Sequence, residues 1–243
     1  MTSLATEPSA DHFTDMVPHQ TCDDAKTWIS RGANFVVCVS QVRAGTKLQR
    51  AAQDDEYMVL LVDLPARIDA GAASCNAERD SLTIVPPGAS VVTALADGCV
   101  VRVFSHHATD LADAAVNAQV YARGAPEVAP LVPWPDPVGG FKLRNYLLTE
   151  HTKPDSNMRI FRSSNLMLNI MTPRLVARDV RKLSPHTHVD FEQGSLALTG
   201  EWQHHLRHPW SADKLARRSA HPHRQPLAYR HTSQRDPHQQ QRE

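Results

Sequence analysis

Short apolar runs, broken by turn residues, recur along most of the chain. "NFVVCVSQV", "EYMVLLVDL", "SLTIVPPGASVVTAL" and "GCVVRVFS" are rich in β-branched and aromatic side chains, so each predicts strand. "MRIFRSSNLMLNIMTP", "LVARDV" and "SPHTHVDFEQGSLALTG" repeat the pattern further on. Two segments depart from it. "TCDDAKTWISRG" predicts a short helix, with Thr21 as N-cap, acids in the first turn and Gly32 as the stop. "HATDLADAAVNAQVYARG" sets Ala, Leu and Val on one helical stripe, with Gly124 as the stop. "VPWPDPVGG" can be neither helix nor central strand and reads as a connector, bent at Gly139 and Gly140. Strands, a helix and linker, then strands again predict an all-β chain of two similar units, each a barrel or sandwich.

Composition narrows the class. The 243 residues suffice for one large or two modest cores. No apolar run approaches the roughly 20 residues that span a bilayer, so no membrane partner is expected. The polar opening "MTSLATEPSADHF" does not read as a secretory signal. Cys22, Cys38, Cys75 and Cys99 are widely spaced, which suits reduced, mostly buried thiols in a cytoplasmic protein. The net charge of zero hides an asymmetry: from Leu215 onward there are six arginines against two acids. The body is therefore mildly acidic, which argues against a nucleic-acid partner there.

The candidate chemistry lies at "SPHTHVDFEQGSLALTG". On a strand, His186 and His188 share a face. Two neutral imidazoles with an oxygen ligand from the next strand suit a divalent transition metal, with open positions for substrate or dioxygen. A solvent-exposed strand carrying two histidines is the plain alternative. The surroundings resemble the first motif of the cupins: H-x-H, three or four residues, Glu, six residues, Gly. His186 and His188 match it. The longer gap puts the third ligand on Gln193, with Gly200 in place; the shorter gap puts it on Glu192. The resemblance implies a double-stranded β-helix (jelly roll) with a metal in the barrel mouth, with Fe, Mn, Zn and Ni not distinguished. It also leaves Asp190 or Glu192 as a nearby acid or base.

The first half fits the same frame without the ligands. "QRAAQDDEYMVLLVD" sets Glu56 opposite Gln193, with Gln49 and Ala51 in place of the histidines. "DSLTIVPPGASV" resembles the second cupin motif at Pro86 and Gly88, but Val91 stands where its histidine belongs. The resemblance thus implies a bicupin from about Asn34 to Lys214, its first barrel metal-free. Such halves stabilise the pair or form a dimer face, so a homodimer through the barrels is one expected assembly.

The second half lacks its own second motif. "LARRSAHPHRQPLAYRHTSQRDPHQQQRE" follows instead, with no apolar period, and reads as a disordered tail. Yet the codons that can encode Arg224 to His238, read one base forward, permit Gly-Ser-Pro-Ser-Leu-Thr-Val-Ile-Pro-Pro-Ser-Val-Ile-His-Thr. That is an apolar strand and a Pro-x-Ser-x-x-His motif, as the fold requires. A frameshift near Lys214 or Leu215 is therefore expected, with the second barrel truncated. The expected organisation is an arm with a short helix over 1–33 and a degenerate cupin over 34–105. A helix and linker follow over 106–157, a metal-type cupin over 158–214 and the tail over 215–243.

Other residues carry weaker signals. Ser105 to His107, "SHH", could pair a nucleophile with a base, but capping of the next helix is the expected role. His204 or His205 could touch substrate, and Arg159 or Arg162 could meet an anion, with solvent exposure the default for all four. The functional expectation is a metal-dependent cupin acting on a small polar or carboxylate-bearing molecule, by isomerase- or dioxygenase-type chemistry. A non-catalytic small-molecule-binding or regulatory cupin, or a non-functional frameshifted product, are the alternatives.

Overall fold

The computed structural model describes residues 10–22, 24–126, 128–173, 176, 179, 191–200 and 227–231. Its strands, in chain order, are β1 (Ala10–His12), β2 (Gln20–Cys22), β3 (Ala25–Arg31), β4 (Phe35–Val42), β5 (Lys47–Arg50), β6 (Tyr57–Leu61), β7 (Ala66–Ala70) and β8 (Ala73–Ala77). They continue as β9 (Ser81–Val85), β10 (Ser90–Ala94), β11 (Gly98–Ser105), β12 (Arg144–Leu147), β13 (Met158–Arg162), β14 (Met167–Met171), β15 (Gln193–Ala197) and β16 (Leu227–His231). One short helix, α1 (Thr109–Asp113), follows β11.

A seven-stranded sheet, in the order β12-β9-β6-β11-β4-β3-β2, stands over a four-stranded sheet, β5-β10-β7-β8. Every pairing is antiparallel. The result is the expected all-β jelly roll. Alternation assigns the two faces of the large sheet. Cys38, Tyr57, Val59, Leu61, Val85, Val100 and Phe104 point between the sheets and meet Leu48, Ile68 and Val92 from the small one. Val37, Val39, Met58, Leu60, Leu82, Ile84, Val101 and Val103 form the outer face. Phe13, Trp28, Leu148, Phe161 and Leu166 cover that face, with Leu196 and Leu198 half-buried against it. Burial on both sides explains why β6 and β9 are buried at every position and read as continuous apolar runs.

The helix predicted over "TCDDAKTWISRG" is instead β2 and β3. β3 pairs with β4 from Ala25↔Val42 to Arg31↔Val36, and its Trp28 Nε1 donates to the Met16 carbonyl at 2.9 Å. A long strand edge on β4 outweighs a local helical preference. The second predicted helix is also shorter than its pattern. α1 ends at Asp113, and a 3₁₀ turn covers Ala118–Tyr121. Between them Asn117 turns its amide to the backbone of β3, accepting from Arg31 N at 3.0 Å and donating to Arg31 O at 2.8 Å. That local competition ends the helix. Gly124 closes the segment at φ +74°, as its position predicts.

The connector bends where expected, with Gly139 and Gly140 at φ +81° and +79°. β12 then joins the large sheet beside β9. β13 and β14 form a hairpin, and β1, β16 and β15 form a three-stranded sheet. β16 departs from the expectation of no packed structure after Leu215. The edge of β15 offers unpaired peptide groups, and main-chain pairing makes little demand on side chains.

All four cysteines are free. Cys38 is buried, Cys75 and Cys99 are partly covered, but Cys22 is exposed, against the expectation for mostly buried thiols. Cys22 lies on β2, the outermost strand of the large sheet, where nothing need cover it. Burial pushes the Cys38 thiol up to about 11 and the Cys99 thiol up to about 12. A thiol reagent at mildly alkaline pH is therefore expected to label Cys22 at once and Cys38 only on unfolding. Loss of the fast phase in Cys22→Ser checks the assignment; a fast phase that survives contradicts it.

Candidate functional site

His186 and His188 lie outside the described residues, as do His204 and His205. Gln193 and Glu192 are described, and they face opposite ways. Glu192 accepts a hydrogen bond from the Asn34 backbone N–H at 3.0 Å, on the first half of the chain. Gly32 makes room for it, since a Cβ there would collide with the Glu192 carboxylate and the Phe35 ring. Leu196 and Leu198 lean on the outer face of the large sheet. Strand alternation therefore directs the even positions to the first half. Gln193, Ser195 and Ala197 take the other face of β15.

Two antiparallel ladders of five rungs can be compared. β6 pairs with β9 from Tyr57↔Val85 to Leu61↔Ser81. β15 pairs with β16 from Gln193↔His231 to Ala197↔Leu227. Matched rung for rung, Gln193 would correspond to Tyr57, whereas the sequence frame sets it opposite Glu56.

Burial in the first half agrees. Gln49 and Ala51, the expected histidine replacements, are exposed, and Val91 is half-buried on the outward side of β10. The inward positions are held by Arg50, Tyr57 and Ser90. Tyr57 is fully buried, shares a 2.9 Å hydroxyl contact with Ser90, and stacks on Phe104 with ring centroids 4.6 Å apart. Glu56 instead points to the seam between the halves. It is fully buried, with Arg144 Nη2 donating to Oε1 at 2.6 Å and Ser164 N donating to Oε2 at 2.8 Å.

Asp55 beside it gathers a second seam cluster. Its Oδ2 accepts from Ser105 Oγ at 2.5 Å and Asn165 Nδ2 at 2.6 Å, and meets His107 Nδ1 at 3.0 Å. Ser105 is thus bonded to the carboxylate rather than to an imidazole, an arrangement unlike a nucleophile and its base. Nor does it cap α1, whose N-cap residue is Ala108 with no side-chain bond. Its hydroxyl accepts from His107 N at 3.1 Å and fixes the turn. Arg159 is buried and donates to the Ile170 and Met171 carbonyls across its hairpin, while Arg162 lies over the Trp134 ring at 5.0 Å. Arg159 thus departs from the solvated role expected by default, while Arg162 is exposed as expected.

Among the described residues, no three His, Cys, Asp or Glu side chains are grouped to hold a metal. No helix of the described residues is long and apolar enough to cross a membrane.

No protein-family profile matches the chain, and no curated protein matches it. Solved structures do. Protein Ylba from E. coli superposes with a TM-score of 0.54 at 11% identity, over 94% of this chain and 84% of its own. Salicylate 1,2-dioxygenase from Pseudaminobacter salicylatoxidans gives a TM-score of 0.34 at 11% identity, over 38% of this chain. The match spans only 29% of that enzyme. An RmlC-like cupin from Shewanella frigidimarina gives 0.32 at 11% identity, over 35% of this chain and 79% of its own. At these identities the likeness is one of fold.

Proposed function

We propose that the chain is a bicupin whose second barrel holds one divalent transition metal on His186, His188 and Gln193 and acts on a small polar or carboxylate-bearing molecule. The observation that carries this reading is the division of labour at the start of β15. Glu192 is committed to Asn34 of the first half, whereas Gln193 lies on the face away from that half. That face is where a barrel interior would be, and an amide oxygen there is a neutral ligand. A metal on such a site would polarise a substrate oxygen, which serves isomerase- or dioxygenase-type chemistry.

The proposal includes the frameshift. β16 covers residues 227–231, the positions at which the shifted frame reads Ser-Leu-Thr-Val-Ile. Its ladder reproduces that of β9, "SLTIV". The strand in this place therefore supports a lost jelly-roll strand, followed in the shifted frame by the histidine of the second motif. The present chain would carry the first three ligands without that fourth one. A non-catalytic small-molecule-binding cupin is the second reading.

Metal analysis of the restored-frame protein separates them. About one equivalent of metal is expected, lost in His186→Ala, reduced in Gln193→Ala and retained in Glu192→Ala. A restored protein that takes up no metal, or loses it equally in Glu192→Ala, would overturn the assignment.

A further inference from the structure

Two arginines meet over one aromatic ring inside the first barrel. Arg50, on β5, sits 12% exposed at the mouth, its Cζ 5.4 Å from the Phe104 ring centroid. Arg102, on β11 behind it, is 5% exposed, its Cζ 5.7 Å from the same centroid. One carboxylate serves the pair. Asp110, on α1, accepts from Arg50 Nη1 at 2.6 Å and Nη2 at 3.0 Å, and Gln53 Oε1 also accepts from Nη2 at 3.0 Å. The Nε of Arg50 and the Nε of Arg102 are buried with no acceptor among the described residues. Asp110 is Arg50's ion-pair partner, and no ion pair is made by Arg102 among them.

Besides Asp110, neither Cys38 nor Tyr57 supplies a compensating negative charge. Burial raises both the Cys38 thiol and the Tyr57 hydroxyl above their ordinary ranges, so both are neutral at physiological pH. A guanidinium so deeply buried without an acceptor is costly. Asp110 shows the geometry that relieves it: a carboxylate gripped by two parallel N–H donors at the barrel mouth. The Asp110 side chain is 62% exposed and sits on a helix of five residues, so it can yield its place.

We infer that the first barrel is a binding site for a small organic monocarboxylate. The ligand's carboxylate bridges Arg102 and Arg50 above the Phe104 ring, and Asp110 competes for Arg50. Tyr57 and Ser90, joined hydroxyl to hydroxyl, form the polar wall, and Val59 and Val92 form the apolar one. The inference concerns the other barrel and does not depend on the metal site proposed above.

Acetate is the probe, titrated into the full chain against sodium chloride at matched ionic strength and read by melting temperature and calorimetry. Saturable stabilisation by acetate beyond chloride is expected. Arg102→Met should keep the fold, since it removes an unpaired buried charge, and should lose the acetate response. Asp110→Asn should tighten acetate binding several-fold by freeing Arg50. An equal response to chloride and acetate, or an undiminished acetate response in Arg102→Met, would overturn the inference. If Arg102→Met does not fold, Asp110→Asn decides alone: tighter binding supports the site, and unchanged or weaker binding refutes it.

Discussion

Removing one base near the codon of Lys214 is expected to raise the melting temperature on the order of 10 °C, together with the gain of metal described above. The estimate follows from the ladder. β9 places Leu82 and Ile84 on the outer face of the large sheet, at 0% and 1% exposure. In β16 the corresponding positions carry Ala228 and Arg230. The shifted frame puts a leucine and a valine there. Each such side chain contributes about 1.5–3 kcal/mol when fully buried. A gain of about 3–6 kcal/mol in a chain of this size corresponds to a shift of that order. Thermal unfolding of the two forms side by side checks this. A restored form that melts at or below the present one would mean that the in-frame β16 is the native strand.

How much of this was legible in the sequence depended on where phase information survives. β4, β6, β9, β10 and β11 were readable because their runs are apolar and bounded by turn residues. Their faces were harder. "EYMVLL" is buried on both sides, so its alternation marks no direction. In such a run the sequence cannot choose between Glu56 and Tyr57 as the inward position. What sets the phase is distant: Arg144, Ser164 and Asn165 draw Glu56 and Asp55 to the seam. β2 and β3 were missed for a like reason. A cap residue, acids and a closing glycine are local signals, whereas the edge of β4 is not. The arginine pair of the first barrel was also hidden, since Arg50 and Arg102 lie far apart in sequence and meet only over Phe104.

Arg144→Met is expected to destabilise the protein by about 3 kcal/mol, far more than Glu56→Gln. The two partners are unequally placed. Glu56 is fully buried, while the Arg144 side chain is 31% exposed. Without Arg144, the carboxylate keeps the Ser164 N–H at 2.8 Å as its partner, with the Glu56 side chain fully buried. An unpaired buried charge of this kind costs about 3–5 kcal/mol, and the partial exposure of Arg144 places the value at the low end. In Glu56→Gln the amide oxygen can still accept from Ser164 N, and the exposed part of Arg144 is solvated by water. Glu56→Gln should therefore cost little, and combined with Arg144→Met it should recover most of the loss. Denaturant unfolding of the two single variants and the double variant measures the coupling directly. Equal, small costs for both single variants would mean that the seam is wet. The cycle also tests how the halves are joined. Asp55 and Glu56 are consecutive, and both reach the turn at Ser164 and Asn165. If the buried pair fixes that register, the double variant should recover stability while the β13–β14 hairpin exchanges its amide protons faster than in the parent.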